Sequence, residues 1–358
     1  MSIHFEIPVS QATLNIVSRI DGFRGDWSAH HGVPTDRLGR LSEAARIQSI
    51  GASCRLSGIH VSDHEVAGVL RGESVPLRDT KAVLGYAAAI DYDLGDSPLL
   101  KTISIRKLNA ITVGEGVEGS EKVEPSGWRQ QHSHCETFDS EGRATGRVIP
   151  ILPPRMIEEK LEDLVTWYEL EMRSGERHPL PVIAAFELGM MAISPFKFGN
   201  GRTIRVLTGH LLRRTGYDYA PYASVESQME NLREVYYDAF DKAQSGIWSG
   251  SADISPWLDY YMEVLDRHRA RVEAKIALER EASDMTPLQQ TILETVREHG
   301  SVDAGLLLKA TGANRNTLKD NVRRLVSLGV LEKTGERRTT RYRLASHHKA
   351  RDASGAEG

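Results

Sequence analysis

The stretch Ser194-Pro195-Phe196-Lys197-Phe198-Gly199-Asn200-Gly201-Arg202-Thr203-Ile204-Arg205 decides how this 358-residue chain is read. An apolar run, Val182 to Ile193, leads into it. An apolar-periodic run, Ile204, Val206, Leu207, Leu211 and Leu212, leads out. Such a stretch predicts a loop that opens a helix and binds an anion. Gly199 and Gly201 permit backbone angles that set successive N–H groups around an anion. The helix that starts there points its positive end at the same spot. Arg202 and Arg205, three residues apart, stand on one helix face and can fork phosphate oxygens. The same arginines could instead pair with core carboxylates, Glu226 and Glu230 being the candidates.

The stretch resembles the signature of the Fic family, His-Pro-Phe-x-Asp/Glu-Gly-Asn-Gly-Arg-x-x-Arg. Pro195, Phe196, Gly199, Asn200, Gly201, Arg202 and Arg205 match it. The resemblance implies that Gly199, Asn200, Gly201, Arg202 and Arg205 hold ATP or another nucleotide. Two positions depart from the pattern. Where the family has the histidine that deprotonates the target hydroxyl, this chain has Ser194. Where the family has the acid that holds magnesium, it has Phe198, and no metal is expected. A third departure lies upstream. Ser53-Cys54-Arg55-Leu56-Ser57-Gly58 is similar to the family's inhibitory motif Ser/Thr-x-x-x-Glu-Gly, with Ser57 in place of the glutamate. In the family that glutamate pairs with the second signature arginine, here Arg205. Gly127-Trp128-Arg129 resembles the family's Gly-x-Arg step, and residues 135–151 its flap hairpin, which docks a target chain by strand pairing.

Outward from the signature, the fold expected is mainly α: a Fic core with a β-hairpin flap, followed by a C-terminal winged helix-turn-helix. Residues 1–75 read as a helical region carrying the inhibitory motif, 76–245 as the core and 246–284 as a connector helix. Ser62 to Glu65 has the pattern of a capping box. Residues 285–345 change character, with three short apolar-periodic segments and then a hairpin around Gly335. The tail, 346–358, is polar and reads as disordered.

The third of those helices and the hairpin are basic. Asn314, Arg315, Asn316, Thr317 and Lys319 stand at the start of the helix; Arg337, Arg338 and Arg341 decorate the hairpin. A basic helix with a basic wing is the electrostatic footprint of duplex DNA binding, and polar residues at the helix start are where base edges are read. A winged helix used for protein contact would carry a similar face.

Composition excludes several classes. A hydrophobic share of 40% and a charged share of 26% are those of a globular chain, neither disordered nor collagenous. No run of about 18 apolar residues exists, so no membrane span is expected. Neither a secretory leader nor metal-ligand cysteine spacing is seen; Cys54 and Cys135 read as free thiols, and the expected location is cytoplasmic.

Base, metal ligand and inhibitory carboxylate are altered together. That combination is coherent for a pseudoenzyme that binds a nucleotide and regulates through DNA, as a homodimer. The alternative is a divergent transferase moving AMP or another phosphate-containing group to a protein hydroxyl, with its target docked at 135–151.

Overall fold

Leu180 to Ile193 are buried without a break. A helix apolar on all sides has its place in the middle of a core, and the first unit is built around it. In this computed structural model the described residues are 5–30, 32–75, 79–94, 99–114, 123–139, 141–283, 285–327, 330–335 and 340–345. They form α1 (Gln11–His30), α2 (Thr35–Arg55), α3 (Asp63–Leu70), α4 (Thr80–Asp91) and α5 (Thr102–Thr112). A hairpin follows, β1 (His134–Phe138) and β2 (Ala144–Pro150). Then come α6 (Ile157–Ser174), α7 (Pro179–Ile193), α8 (Asn200–Arg214), α9 (Val225–Asn231), α10 (Arg233–Gln244) and α11 (Ser255–Ser283). The chain ends with α12 (Pro287–His299), α13 (Ala304–Thr311), α14 (Arg315–Ser327), β3 (Leu331–Thr334) and β4 (Arg341–Leu344). The chain is mainly helical. It divides into two compact units, Met1–His31 with Leu38–Ala274, and Gly32–Arg37 with Lys275–Gly358.

In the first unit α7 packs between α6 and α8, and α8 also packs on α4 and α5. Two glycines set these distances. A Cβ at Gly189 would lie 2.7 Å from the Leu164 side chain, and one at Gly85 would lie 2.6 Å from the Thr112 carbonyl. The segment expected as a connector contributes to this core: Trp257 of α11 is fully buried and donates from Nε1 to the Ala184 carbonyl at 2.7 Å. The capping box at α3 forms, with the Glu65 amide on the Ser62 hydroxyl at 3.2 Å and the Ser62 amide on the Glu65 carboxylate at 2.7 Å.

The flap is antiparallel, pairing Cys135 with Ile149 and Glu136 with Val148, with an irregularity between Glu136 and Phe138. Arg147 on β2 reaches Asp241 of α10 at 2.7 Å and pairs with Asp238 as well. Arg233 donates to the Asp139 carbonyl. On its other side the flap lies close to the turn after α2. Gly58, at φ +75°, leaves room there for the Phe138 ring, which a Cβ would approach to 2.5 Å.

The second unit has its own core of Ile292, Val296, Val302, Leu307, Leu318, Val322, Leu325 and Leu344, to which α12, α13, α14 and the β3–β4 hairpin all contribute. Thr286 and Gln289 make a capping box at α12, and Asp303 caps α13. Val302 forms an antiparallel bridge with Tyr342. Arg337, Arg338 and the 346–358 tail lie outside the described residues. No described helix is long and apolar enough to cross a membrane.

Candidate functional site

The loop between α7 and α8 is held in shape by its own asparagine. The Asn200 side chain accepts from the Phe196 amide at 2.8 Å and donates back to the Phe196 carbonyl at 2.8 Å. Gly199 sits at φ +76°, with Val113 Cγ1 2.6 Å from where a Cβ would be, so the position accepts no larger residue without displacement. The first helical bond of α8 runs from the Thr203 amide to the Gly199 carbonyl at 2.8 Å. The amides of Asn200, Gly201 and Arg202 therefore have no intrahelical partner. With the helix dipole they present unpartnered donors at the start of α8, the geometry on which the expectation of an anion site rests.

Arg202 and Arg205 separate in role. Arg202 donates from Nη1 to the Thr112 carbonyl at 3.1 Å and to the Ala82 carbonyl at 3.4 Å, capping the end of α5. Burial holds its pKa down. Arg205 donates from Nε to the Ser53 hydroxyl at 2.9 Å, and from Nη2 to the Ser53 carbonyl at 2.8 Å and the Ser57 hydroxyl at 2.7 Å. A Cβ at Gly201 would come within 3.0 Å of Arg205 Nη1, so that glycine makes room for the guanidinium. Neither arginine forms an ion pair among the described residues. The carboxylates offered as alternatives are engaged elsewhere: Glu230 holds Arg55 at 2.8 Å and Arg233 at 3.1 Å, while Glu226 accepts from Tyr86 at 2.8 Å and Ser224 at 3.2 Å.

Ser194 closes α7 in the left-handed region at φ 42°, the one non-glycine residue there among those described. An L-residue in that region costs about 1–2 kcal/mol and persists only where its surroundings impose it. Arg129 does so. It donates to the Ser194 carbonyl at 2.9 Å, to the Ile193 carbonyl at 3.2 Å and to Gln131 at 3.1 Å, with a further bond to Leu152, and its own amide reaches the Pro195 carbonyl at 2.9 Å. The Ser194 hydroxyl is buried and donates to the Met191 carbonyl at 2.7 Å. Glu187, the carboxylate two turns back, does not bond to it. It lies buried against Thr208 at 2.9 Å, and burial pushes its pKa up to about 7.

These groups surround a cleft of about 480 Å³, lined by the loop from Ser194 to Gly201, by Ser57, and by His134, Cys135 and Glu136 of β1. Lys197 lines it as well. Its Nζ stands 5.1 Å from the centroid of the Phe198 ring, which is 66% exposed. Burial lifts the Cys135 thiol to about 11, so it is an inert thiol at neutral pH. Asn109 is a member that the sequence reading missed. Buried on α5, it donates to the Phe198 carbonyl and to the Thr203 hydroxyl, both at 3.0 Å. Only its place in an apolar helix hinted at it.

In the second unit, Asn314, Arg315, Asn316, Thr317 and Lys319 are all exposed at the start of α14, as is Arg341 on β4. The Asn314 side chain accepts from the Asn316 amide at 3.1 Å and the Thr317 amide at 2.9 Å, so it caps the helix.

A family model described as the Fic/DOC family matches residues 102–212. The chain is 26% identical over 261 residues to a protein adenylyltransferase Fic of Culex quinquefasciatus, covering 70% of this chain and 46% of the relative. It thus spans about half the length of that relative. Among solved structures it is similar in fold to a Fic family protein from Desulfovibrio desulfuricans G20, with a TM-score of 0.57, 21% identity and 95% and 97% of the two chains covered. A Fic domain containing signaling protein from Bacteroides thetaiotaomicron gives a TM-score of 0.59 at 20% identity, over 72% of this chain and 96% of that one. Fic-1 of C. elegans, residues 134–508, gives 0.58 at 18% identity, over 75% and 73%. The matched segment and the shared fold agree: residues 102–212 of this chain form a Fic/DOC domain, and the chain has the fold of the Fic proteins it resembles.

Proposed function

We propose that this chain is a non-catalytic Fic protein that takes a nucleotide or another phosphate-bearing anion in the 480 Å³ cleft and regulates through duplex DNA, bound as a homodimer by a winged helix at 285–345. One observation carries the catalytic half of this reading. The Ser194 hydroxyl stands at the position of the family's base and donates its hydrogen bond to the Met191 carbonyl, and no titratable side chain among the described residues bonds to it. A hydroxyl is a poor base unless a second base activates it, and loss of a general base costs about 10²–10⁴ in rate. The open amides of Asn200 to Arg202 and the carboxylate-free Arg205 support retained anion binding, since neither depends on that base.

The DNA half is supported by the order of three helices and a hairpin and by the exposed Arg315, Asn316 and Lys319 on α14. The Culex relative is named an adenylyltransferase, so AMP transfer to a protein docked at the flap is the competing outcome. Label transfer from radiolabelled ATP with magnesium tests the first half, and a mobility shift on the chain's own upstream region tests the second. Negligible transfer with a shifted duplex is expected. Robust AMP transfer sinks the non-catalytic reading, and a duplex left unshifted at low salt sinks the DNA reading.

A further inference from the structure

The donor set around the cleft does not suit a divalent cation. Magnesium takes oxygen ligands, held by carboxylates together with substrate phosphates. Glu136 on the flap is the one carboxylate among the described residues lining the cleft, and its side chain is 60% exposed beside His134. No group of three or more metal-ligating side chains occurs among the described residues. At the cleft mouth stands the Phe198 ring, which offers no ligand oxygen.

The same turn supplies a cation of the protein's own. Lys197 lines the cleft, is exposed, and makes no ion pair among the described residues. The Phe198 ring lies 5.1 Å from its ammonium, within the range where the face of an aromatic ring attracts a cation. The contact restrains an otherwise free lysine side chain beside a ring that lines the same cleft as Arg205 and the loop glycines. The charges lining the cleft are then Lys197, Arg129, Arg202 and Arg205 against Glu136, with His134 on the same strand.

We infer that Lys197, held over the Phe198 ring, supplies the counter-charge for a phosphate chain in this cleft, so that the cleft binds oligophosphate free of divalent metal. This rests on the anion-cleft reading above and names how that cleft neutralises its ligand. The ligand class is a metal-free polyphosphate, whether carried by a nucleotide or not.

Calorimetry at low salt with two probes, ATP and inorganic triphosphate, each in EDTA and in saturating magnesium, tests it on the full chain. Binding in EDTA at least as tight as in magnesium is expected. Lys197→Met should weaken it about tenfold in EDTA, the loss of one charged hydrogen bond. Phe198→Leu, which keeps the bulk and loses the ring, should weaken it about two- to fivefold. Phe198→Asp should make binding magnesium-dependent. Both residues are exposed, so thermal melts should match the parent's. ATP binding over triphosphate marks a nucleotide ligand, and equal binding a phosphate one; either supports the inference. Binding seen only with magnesium, or unchanged in Lys197→Met, overturns it and leaves the anion cleft standing. Absence of binding in every condition overturns both.

Discussion

The Arg205 guanidinium donates to the Ser57 hydroxyl at 2.7 Å, joining the turn after α2 to the cradle helix across 148 residues of sequence. Both partners line the cleft. The contact is neutral on the Ser57 side, so it does not offset the Arg205 charge. Ser53 contributes two further bonds to the same guanidinium, which fix it without neutralising it.

A carboxylate at position 57 should reverse that. Ser57→Glu is expected to place a charge on Arg205 and weaken triphosphate binding by about tenfold or more, since charge-assisted bonds are worth about 1.5–3 kcal/mol. The change should also act on restored chemistry. Ser194→His with Phe198→Asp returns a base and an oxygen ligand; histidine tolerates the left-handed backbone there better than most residues. Label transfer from ATP with magnesium should rise about a hundredfold or more, and adding Ser57→Glu should suppress it. Transfer by the unaltered protein at the rate of the double variant would remove the premise.

The Glu187 carboxyl gives a pH signature. Burial raises it to about 7 from an ordinary 4.5, while the Thr208 hydroxyl and the Arg205 charge pull it partly back. The folded pKa lies above the unfolded one, so the unfolded chain loses its proton first. The stability held by protonated Glu187 is complete below about pH 4.5 and is lost as the pH rises to about 7, a total of about 3 kcal/mol. Glu187→Gln cannot titrate. Relative to the parent, it should gain about 2–3 kcal/mol between pH 5 and pH 8 in urea unfolding. A constant difference between the two proteins across that window would show that Glu187 stays ionised.

Much of this fold was legible because its signals are local. The two helices flanking the loop, α7 and α8, and the capping box at α3 follow from apolar periodicity, Gly placement and Ser-to-Glu spacing. The shape of the loop was legible for the same reason: Gly199 and Gly201 act through their own backbone, and the Asn200 side chain bonds only four residues back, to Phe196. What escaped was non-local. Nothing near Asn109 in sequence points to Phe198, 89 residues on. The burial of the first half of α11 depends on α7, whose Ala184 carbonyl accepts the Trp257 hydrogen bond. The two signature arginines look equivalent on paper, and only the packing of α4, α5 and α8 assigns Arg202 to carbonyls and Arg205 to the serines.

Arg129 bonds the last carbonyls of α7 and fixes the left-handed turn at Ser194. Arg129→Met keeps much of the side-chain volume and removes those donors. It should destabilise the chain by about 1.5–3 kcal/mol, the range for hydrogen bonds to a charged group. Because the turn sets the loop that follows, triphosphate affinity should fall in the same variant. Unchanged melting and unchanged affinity would mean that the turn is held by the rest of the loop.

On α14 the roles of neighbouring polar residues should separate. Asn314 is committed to capping, so Asn314→Ala should lower the stability of the second unit by about 1 kcal/mol. Arg315 and Lys319 are exposed four residues apart and share a helix face. Each is expected to meet a phosphate or a base edge. Removing both should weaken binding to every duplex tested and flatten the dependence of log affinity on log salt by about 0.9 for each phosphate left without its cation. Asn316 gives its backbone amide to that cap and stands exposed at the same helix start. Asn316→Ala should leave the salt slope alone and relax discrimination at one base pair by about 1–3 kcal/mol. Arg341, exposed on β4, belongs with the residues expected on the DNA backbone and should follow the Arg315 pattern at smaller amplitude. The measurement is fluorescence anisotropy of the full chain on a duplex from its own upstream region, repeated across a salt series and on single-base variants. A slope unaltered by Arg315→Ala with Lys319→Ala would assign this basic face to a protein partner instead.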